Sequence, residues 1–268
     1  MKILSKPIPI PCLAPAVKLG RGILRLVSRL YDYFIPPRCY GCGIILPDSH
    51  GLCGDCWRGL DFIVKPWCSS CGLPFPYHPQ TIQGSESLCP RCSSQEVREF
   101  SCLRAVLVYN DASRALILPF KHGDRIETVR LFARWLVQYG GEALVGVDII
   151  AAVPLHPLRL WRRRYNQAAL IAWEVGRLTG IRVLPDLLVR RRATRSQGEM
   201  TRTGRQINVA GAFKVKARFR SRIENKTILV IDDVMTTGAT LNEVARVLSR
   251  QRVKAVNGLV VARVLLTR

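Results

Sequence analysis

The sequence predicts an α/β fold, a mostly parallel sheet with helices on both faces, preceded by a small cysteine-rich unit. Beyond about residue 100, apolar runs of strand length alternate with amphipathic stretches of helical length, as in a parallel sheet joined by crossover helices. Ahead of that point, eight of the ten cysteines crowd between Cys39 and Cys92, and none follows Cys102. These two changes of character divide the chain into an extension over residues 1–36, a cysteine-rich unit over 37–100 and an α/β domain over 101–268.

In the extension, residues 17–34 place Leu19, Ile23, Leu26, Val27, Leu30 and Phe34 at helical spacing, with Lys18, Arg21, Arg25 and Arg29 between them. Such a basic amphipathic helix packs more often as a lid on its own protein than on a membrane, and Pro36 and Pro37 end it. In the α/β domain, residues 103–109 read as a strand. Residues 126–139 read as a helix with Val129, Phe132, Ala133, Leu136 and Val137 on one face. A buried strand over 147–155, a helix over 166–179 stopped by Gly180 and a strand over 182–189 follow. The chain closes with a strand over 227–231, a helix over 240–250 and a strand over 253–264.

A length of 268 residues with 48% hydrophobic content supports a buried core and a globular chain. The formal charge of +22 predicts attraction to polyanions, either nucleic acid or phosphorylated small molecules. Pro7, Pro9, Pro11 and Pro15 interrupt the first residues, which lack the apolar run of a signal peptide. No stretch reaches the roughly 18 apolar residues of a membrane span, so no transmembrane segment and a cytoplasmic location are expected. Reducing conditions there favour metal over disulfide for clustered cysteines.

The cysteines are spaced for metal. Cys39 and Cys42, then Cys53 and Cys56 after ten residues, form two Cys-x-x-Cys knuckles. Cys68 and Cys71, then Cys89 and Cys92 after seventeen residues, repeat the pattern. Four soft thiolates with no vacant position suit zinc, and a closed site is structural rather than catalytic. Two structural zinc ions, a double zinc ribbon, are therefore expected. Adjacent pairing needs the shorter loops and is preferred over interleaved pairing, which spacing alone leaves open. Trp57, Trp67 and Phe75 either fill the small core of the ribbons or stack nucleobases. Cys12 and Cys102 read as ordinary buried thiols.

The most informative segment runs from Thr227 to Thr240. An apolar strand ends in Asp232 and Asp233, a short loop of Thr236, Thr237, Gly238, Ala239 and Thr240 follows, and a helix begins. In open α/β sheets, ligands bind at the C-terminal ends of strands. Backbone N–H groups, threonine hydroxyls and a helix N-terminus can cradle one phosphate, with Gly238 permitting close approach. Two carboxylates just upstream can accept hydrogen bonds from sugar hydroxyls or hold hydrated magnesium. Together they read a ribose 5-phosphate. The absence of a Walker lysine argues against an ordinary P-loop nucleotidase.

A hydrophobic strand, paired acids and a Thr-Thr-Gly-x-Thr loop make the segment resemble the type I phosphoribosyltransferases. Further stretches extend the likeness. They are Ala152 to Pro157, then Arg163, Arg164, Tyr165, Asn166 and Gln167, then Thr194 to Gln197, then Arg205 to Phe213. With the cysteine knuckles ahead of them, they make the chain similar to the ComF (competence protein F, or GntX-like) family from about Ile23 onward. That resemblance implies a phosphoribosyltransferase-type sheet binding phosphoribosyl pyrophosphate with magnesium. It makes Asp232 and Asp233 the central acids. His156, Arg163, Arg164, Asn166 and Gln167 would lie in a pyrophosphate loop over residues 154–166. Arg195, Gln197, Arg205 and Asn208 would lie in a mobile loop over 190–208. Where the family usually carries Arg-Gly before the Asn-Gln element, this chain has Arg163 and Arg164, so a glycine is missing.

Residues 156–222 hold 17 Arg or Lys against 3 acids, enough to neutralise a pyrophosphate or to track a strand of nucleic acid. The resemblance implies DNA uptake and natural transformation, with single-stranded DNA and other DNA-uptake proteins as partners. Transfer at the anomeric carbon in nucleotide salvage is the alternative, and a non-catalytic single-stranded-DNA adaptor is another. His156 is the better candidate for an acid or base, ahead of His122 beside its turn. No base-recognition hood is recognisable, so whether transfer is catalysed stays open.

Overall fold

The computed structural model describes residues 36–47, 51–75, 87–94, 100–122, 125–192, 204 and 208–265. The helix expected over 17–34, Cys12, Arg195, Gln197 and Arg205 lie outside the described residues.

In the cysteine-rich part the helical elements are α1 (Gly54–Arg58) and α2 (Pro90–Ser93). There follow β1 (Cys102–Val108), α3 (Asp111–His122), α4 (Thr128–Tyr139), α5 (Gly141–Leu144) and β2 (Ile149–Ala152). Next come α6 (Pro157–Arg163), α7 (Gln167–Thr179), β3 (Arg182–Val183), β4 (Leu188–Arg190) and β5 (Phe213–Val215). A 3₁₀ turn (Ala217–Phe219) leads into α8 (Arg220–Ile223), β6 (Thr227–Met235), α9 (Ala239–Ser249) and β7 (Ala255–Arg263).

The expected parallel sheet is present. Its strands lie in the order β1-β7-β6-β2-β3, and each neighbouring pair is parallel. Alternation along β6 supplies both faces. Ile228 and Val230 pack on one side with Leu241, Val244, Ala245 and Leu248 of α9. Leu229 and Ile231 pack on the other with Phe120 of α3, Phe132 and Leu136 of α4 and Ile171 and Val175 of α7. A strand buried on both sides reads as a continuous apolar run, which is why this one was legible. The helix over 166–179 is α7. The Asn166 side chain accepts from Ala168 N at 3.1 Å at its start, and Gly180, at φ 73°, closes its end.

Four expectations need correction. The strand over 182–189 is two strands: β3 joins the main sheet, whereas β4 pairs antiparallel with β5. Between them stands Pro185, which cannot donate to a ladder. The strand expected to end at Ile231 runs on to Met235, because Val234 and Met235 keep pairing with Ala262 and Arg263 of β7. The acids therefore sit within the strand rather than after it. His122 is the last residue of α3, a helix over Asp111–His122 that contains Pro119 and that the sequence alone did not predict. Finally, the stretch expected as a pyrophosphate loop contains α6, with Pro157 at its first position.

The chain linking the two cysteine groups covers the open edge of β1. Ile63 N donates to Val106 O and Val108 N to Asp61 O, each at 2.8 Å, and Phe62 faces Leu107 in an antiparallel bridge. An edge that would otherwise present unpaired backbone groups is thereby closed. Phe62 also packs on Trp57, Trp135 and Tyr139 at 4.9–5.4 Å between ring centroids, while Trp57 stays 45% exposed.

Candidate functional site

The cysteines gather as adjacent pairs. Cys39, Cys42, Cys53 and Cys56 form one group and Cys68, Cys71, Cys89 and Cys92 the other, with the sulfur atoms of each group within 4.8 Å of one another. Backbone amides point at the sulfurs, as thiolates require: Cys53 N lies 3.3 Å from the Cys39 Sγ, and Cys89 N 3.4 Å from the Cys68 Sγ. The knuckle turns depend on glycine. Gly43 and Gly72 adopt φ +80° and +64°, and a Cβ on Gly72 would come within 2.6 Å of the Leu103 carbonyl. Eight thiols in two closed tetrads fit two structural zinc ions. Phe75 packs against the second tetrad, filling its core.

The second tetrad rests on the main sheet. Arg263, buried at the end of β7, donates through NH1 to the Cys71 carbonyl at 2.5 Å and lies 3.7 Å from its sulfur. The hydrogen bond with Cys68, and then the Arg263 guanidinium, hold the Cys71 thiol far down, near 4. On the first tetrad, Arg125 NH1 donates to the Cys39 and Tyr40 carbonyls at 3.0 and 2.5 Å.

At the C-terminal end of β6, Asp232 lines a small open cleft with Met235, Thr236, Gly238, Ala239 and Thr240, and Asp233 follows it in the strand. The turn from β6 into α9 takes three residues. Gly238 makes it, at φ +79°, a conformation that L side chains rarely adopt. Of the expected loop residues, Thr236, Thr237 and Gly238 form the turn, whereas Ala239 and Thr240 open α9 itself. Ala239 N donates to the Thr237 hydroxyl at 3.4 Å, and the first residues of the eleven-residue α9, Ala239 and Thr240, line the cleft.

The two acids are held rigidly. Asp233 N donates to Asp232 Oδ1 at 2.9 Å and Val234 N to Asp233 Oδ1 at 2.6 Å. Burial first, and then the Asp233 charge, push the Asp232 carboxyl up to about 7, while Lys121 and Arg190 act the other way. Lys121 Nζ lies 3.2 Å from Asp233 Oδ2, both side chains largely shielded. Arg190, 8% exposed at the end of β4, stacks on the Phe213 ring at 5.2 Å. Burial, and then the neighbouring charge of Arg159, bring Arg190 down to about 10. Two cations from distant parts of the chain, Lys121 and Arg190, therefore act on one acid pair, and Arg159 stands beside Arg190. Sequence reading did not single out Lys121, Arg159 or Arg190, because only folding brings them together.

The pyrophosphate-loop candidates divide into framework and surface. His156 caps α6, its Nδ1 accepting from Leu158 N at 3.4 Å. Asn166 donates to the Val153 carbonyl at 3.0 Å, and Gln167 to the Lys121 carbonyl at 2.9 Å. Arg163 NH1 lies 3.4 Å from Gln167 Oε1. Arg164 ends α6 at φ 66°, the left-handed conformation that a glycine would adopt freely. Its exposed side chain points no charge at the acids through any described contact. In the stretch expected as a mobile loop, Asn208 accepts from Arg192 NH2 through its carbonyl at 3.2 Å, and just beyond it Gly211 N donates to Glu243 of α9 at 2.8 Å.

The chain is 30% identical over 227 residues to Competence protein F of Haemophilus influenzae, a match covering 82% of this chain and 93% of that one. The chain belongs to the competence protein F family. Within that family it is also 30% identical over 226 residues to the DNA utilization protein YhgH of Salmonella typhi, covering 81% of this chain and 92% of that one. Competence protein ComFC of Bacillus subtilis is 25% identical over 236 residues, 85% of this chain and 91% of the relative. The model of the double zinc ribbon domain matches residues 30–93, and that of the phosphoribosyl transferase domain residues 170–265. The second span takes in the acid pair and the Gly238 turn. In this competence protein F relative, the described residues include no helix long and apolar enough to cross a membrane.

Proposed function

We propose that this chain binds the ribose 5-phosphate part of phosphoribosyl pyrophosphate and uses that binding in the handling of DNA during uptake. The carrying observation is that Asp232 of the acid pair and the start of α9 line one cleft, with a three-residue turn, Thr236 to Gly238, between strand and helix. A phosphate on the α9 amides would leave the sugar hydroxyls to donate to Asp232 and Asp233. The names of the competence and DNA utilization relatives support the cellular role.

Carboxylate oxygens are the donors that magnesium takes, and a carboxylate offers about four lone-pair sites, so the acid pair fits the ion in kind. Lys121 already pairs with Asp233, which leaves Asp232 as the oxygen donor toward an ion carried by the pyrophosphate. Such an ion would offset the pyrophosphate charge. Arg190 acts on Asp232, and Arg159 beside it adds to the cationic charge of the protein's own.

The test is calorimetric titration of phosphoribosyl pyrophosphate with magnesium into the zinc-loaded chain, beside the double variant Asp232→Asn, Asp233→Asn. Micromolar binding that disappears in the variant supports the reading; no binding to the wild-type chain removes it.

A second reading, single-stranded DNA as ligand, is favoured by α6. Trp161 is 86% exposed there and Leu158 69%, on a helix whose sequence also carries Arg159, Arg162 and Arg163. Aromatic faces stack bases while arginines neutralise phosphates. Trp161→Ala should weaken single-strand binding at least threefold, and binding should fall steeply with salt.

A further inference from the structure

Lys121 stands at the acid pair but comes from α3, 112 residues before Asp233 in the chain. Its position is built, not incidental. Phe120, beside it, is fully buried, and the Phe120 carbonyl accepts from Tyr165 OH at 2.5 Å. The Lys121 carbonyl itself accepts from Gln167, which is 1% exposed. The end of α3 is thus clamped against the start of α7, and the ammonium is delivered to Asp233 Oδ2 at 3.2 Å.

Side-chain exposures of 18% for Lys121 and 15% for Asp233 separate this pair from the surface kind that contributes little. A shielded pair costs desolvation, and removing one partner leaves the other charge uncompensated. An ammonium has three donors. With one directed at Asp233, two remain to donate to a ligand lying against the acids. A divalent cation on the same carboxylate would sit about 4 Å from that ammonium. The like charges would repel there far more strongly than in bulk water. The two cations exclude one another at Asp233.

We propose that Lys121 is the resident counter-ion of the acid pair and a ligand-contacting residue of the sugar-phosphate site, so that a ribose 5-phosphate without pyrophosphate binds here with no divalent cation. The proposal rests on the sugar-phosphate reading given above. It assigns to the chain itself the neutralising role that a metal would otherwise take at Asp233. Any magnesium requirement then belongs to the pyrophosphate of the ligand and not to the sugar end of the site.

The experiment is calorimetric titration of ribose 5-phosphate into the full zinc-loaded chain, in buffer with 5 mM magnesium, roughly the excess that saturates a weak carboxylate site, and in buffer with none. The wild-type affinity is expected to differ by less than twofold between the two buffers. Lys121→Gln, checked for an unchanged thermal transition, should bind at least tenfold more weakly without magnesium, and Lys121→Arg should recover most of the loss. A tenfold or greater gain from magnesium in the wild-type chain overturns the proposal while leaving the sugar-phosphate reading standing. So does a Lys121→Gln variant that binds as the wild type does. Failure of both ribose 5-phosphate and phosphoribosyl pyrophosphate to bind in either buffer overturns the sugar-phosphate reading and this proposal with it.

Discussion

Arg263 donates to the Cys71 carbonyl at 2.5 Å, and its own backbone carbonyl accepts from Tyr109 N at 2.7 Å. One buried side chain therefore ties the second cysteine tetrad to β7, and Arg263 is also the strand partner of Met235 at the edge of the sugar-phosphate cleft. Arg263→Met should leave the Cys71 carbonyl without that donor and destabilise the chain by about 1–3 kcal/mol. It should also speed zinc loss from one site of two. A colorimetric zinc-release assay with a thermal melt checks both.

The two tetrads predict two zinc ions per chain, which atomic absorption counts. Cys42→Ser and Cys68→Ser should each remove one ion. Cys68→Ser should destabilise more, because Cys68 is fully buried against the main sheet whereas Cys42 is exposed. Equal destabilisation by the two changes would contradict the packing described for the second tetrad.

Arg164 holds φ 66° with a side chain attached, at a place where the family resemblance supplies glycine. For an L residue, the left-handed conformation costs roughly 1–2 kcal/mol, and part of that returns through the floppier unfolded chain. Arg164→Gly should therefore stabilise the chain by about 0.5–1 kcal/mol, readable in a denaturant midpoint. Gly238→Ala should do the reverse, since Gly238 stands at φ +79°, and it should weaken phosphate binding as well.

The Asp232 carboxyl sits near 7 in the fold, above the ordinary carboxylate range near 4, because burial and Asp233 disfavour its charge. Between these values the folded chain keeps a proton that the unfolded chain has released, so this residue lowers stability as pH rises from about 4 to about 7. Asp232→Asn should leave stability nearly unchanged at pH 4 and raise it by roughly 2 kcal/mol at pH 8, within the range for relieved buried charges. Thermal melts of both chains across that range check the sign.

Much of this was legible in one dimension for a physical reason. β6 is buried on both faces, so Ile228 to Ile231 form an unbroken apolar run, and the turn chemistry of Thr236 to Gly238 follows directly. The cysteine spacing reads equally well, since each tetrad is made of two short knuckles. The helix at Asp111–His122 was hidden by Pro119 within it. The strand break at Pro185 and Asp186 was hidden by the apolar runs beyond them, Val183 and Leu184 before and Leu187 to Val189 after. Lys121 and Arg190 could not be read at all as partners of the acids. Nothing local marks a lysine whose carboxylate lies 112 residues away, and the clamp of Gln167 on its carbonyl exists only in the fold.

The most direct measurement is a crystal structure of the zinc-loaded chain with ribose 5-phosphate. The phosphate is predicted on the amides that open α9, within hydrogen-bond distance of Gly238, Ala239 and Thr240, with sugar hydroxyls on Asp232 and Asp233. A sugar phosphate held instead by the arginines of α6, with the acids untouched, would contradict the account.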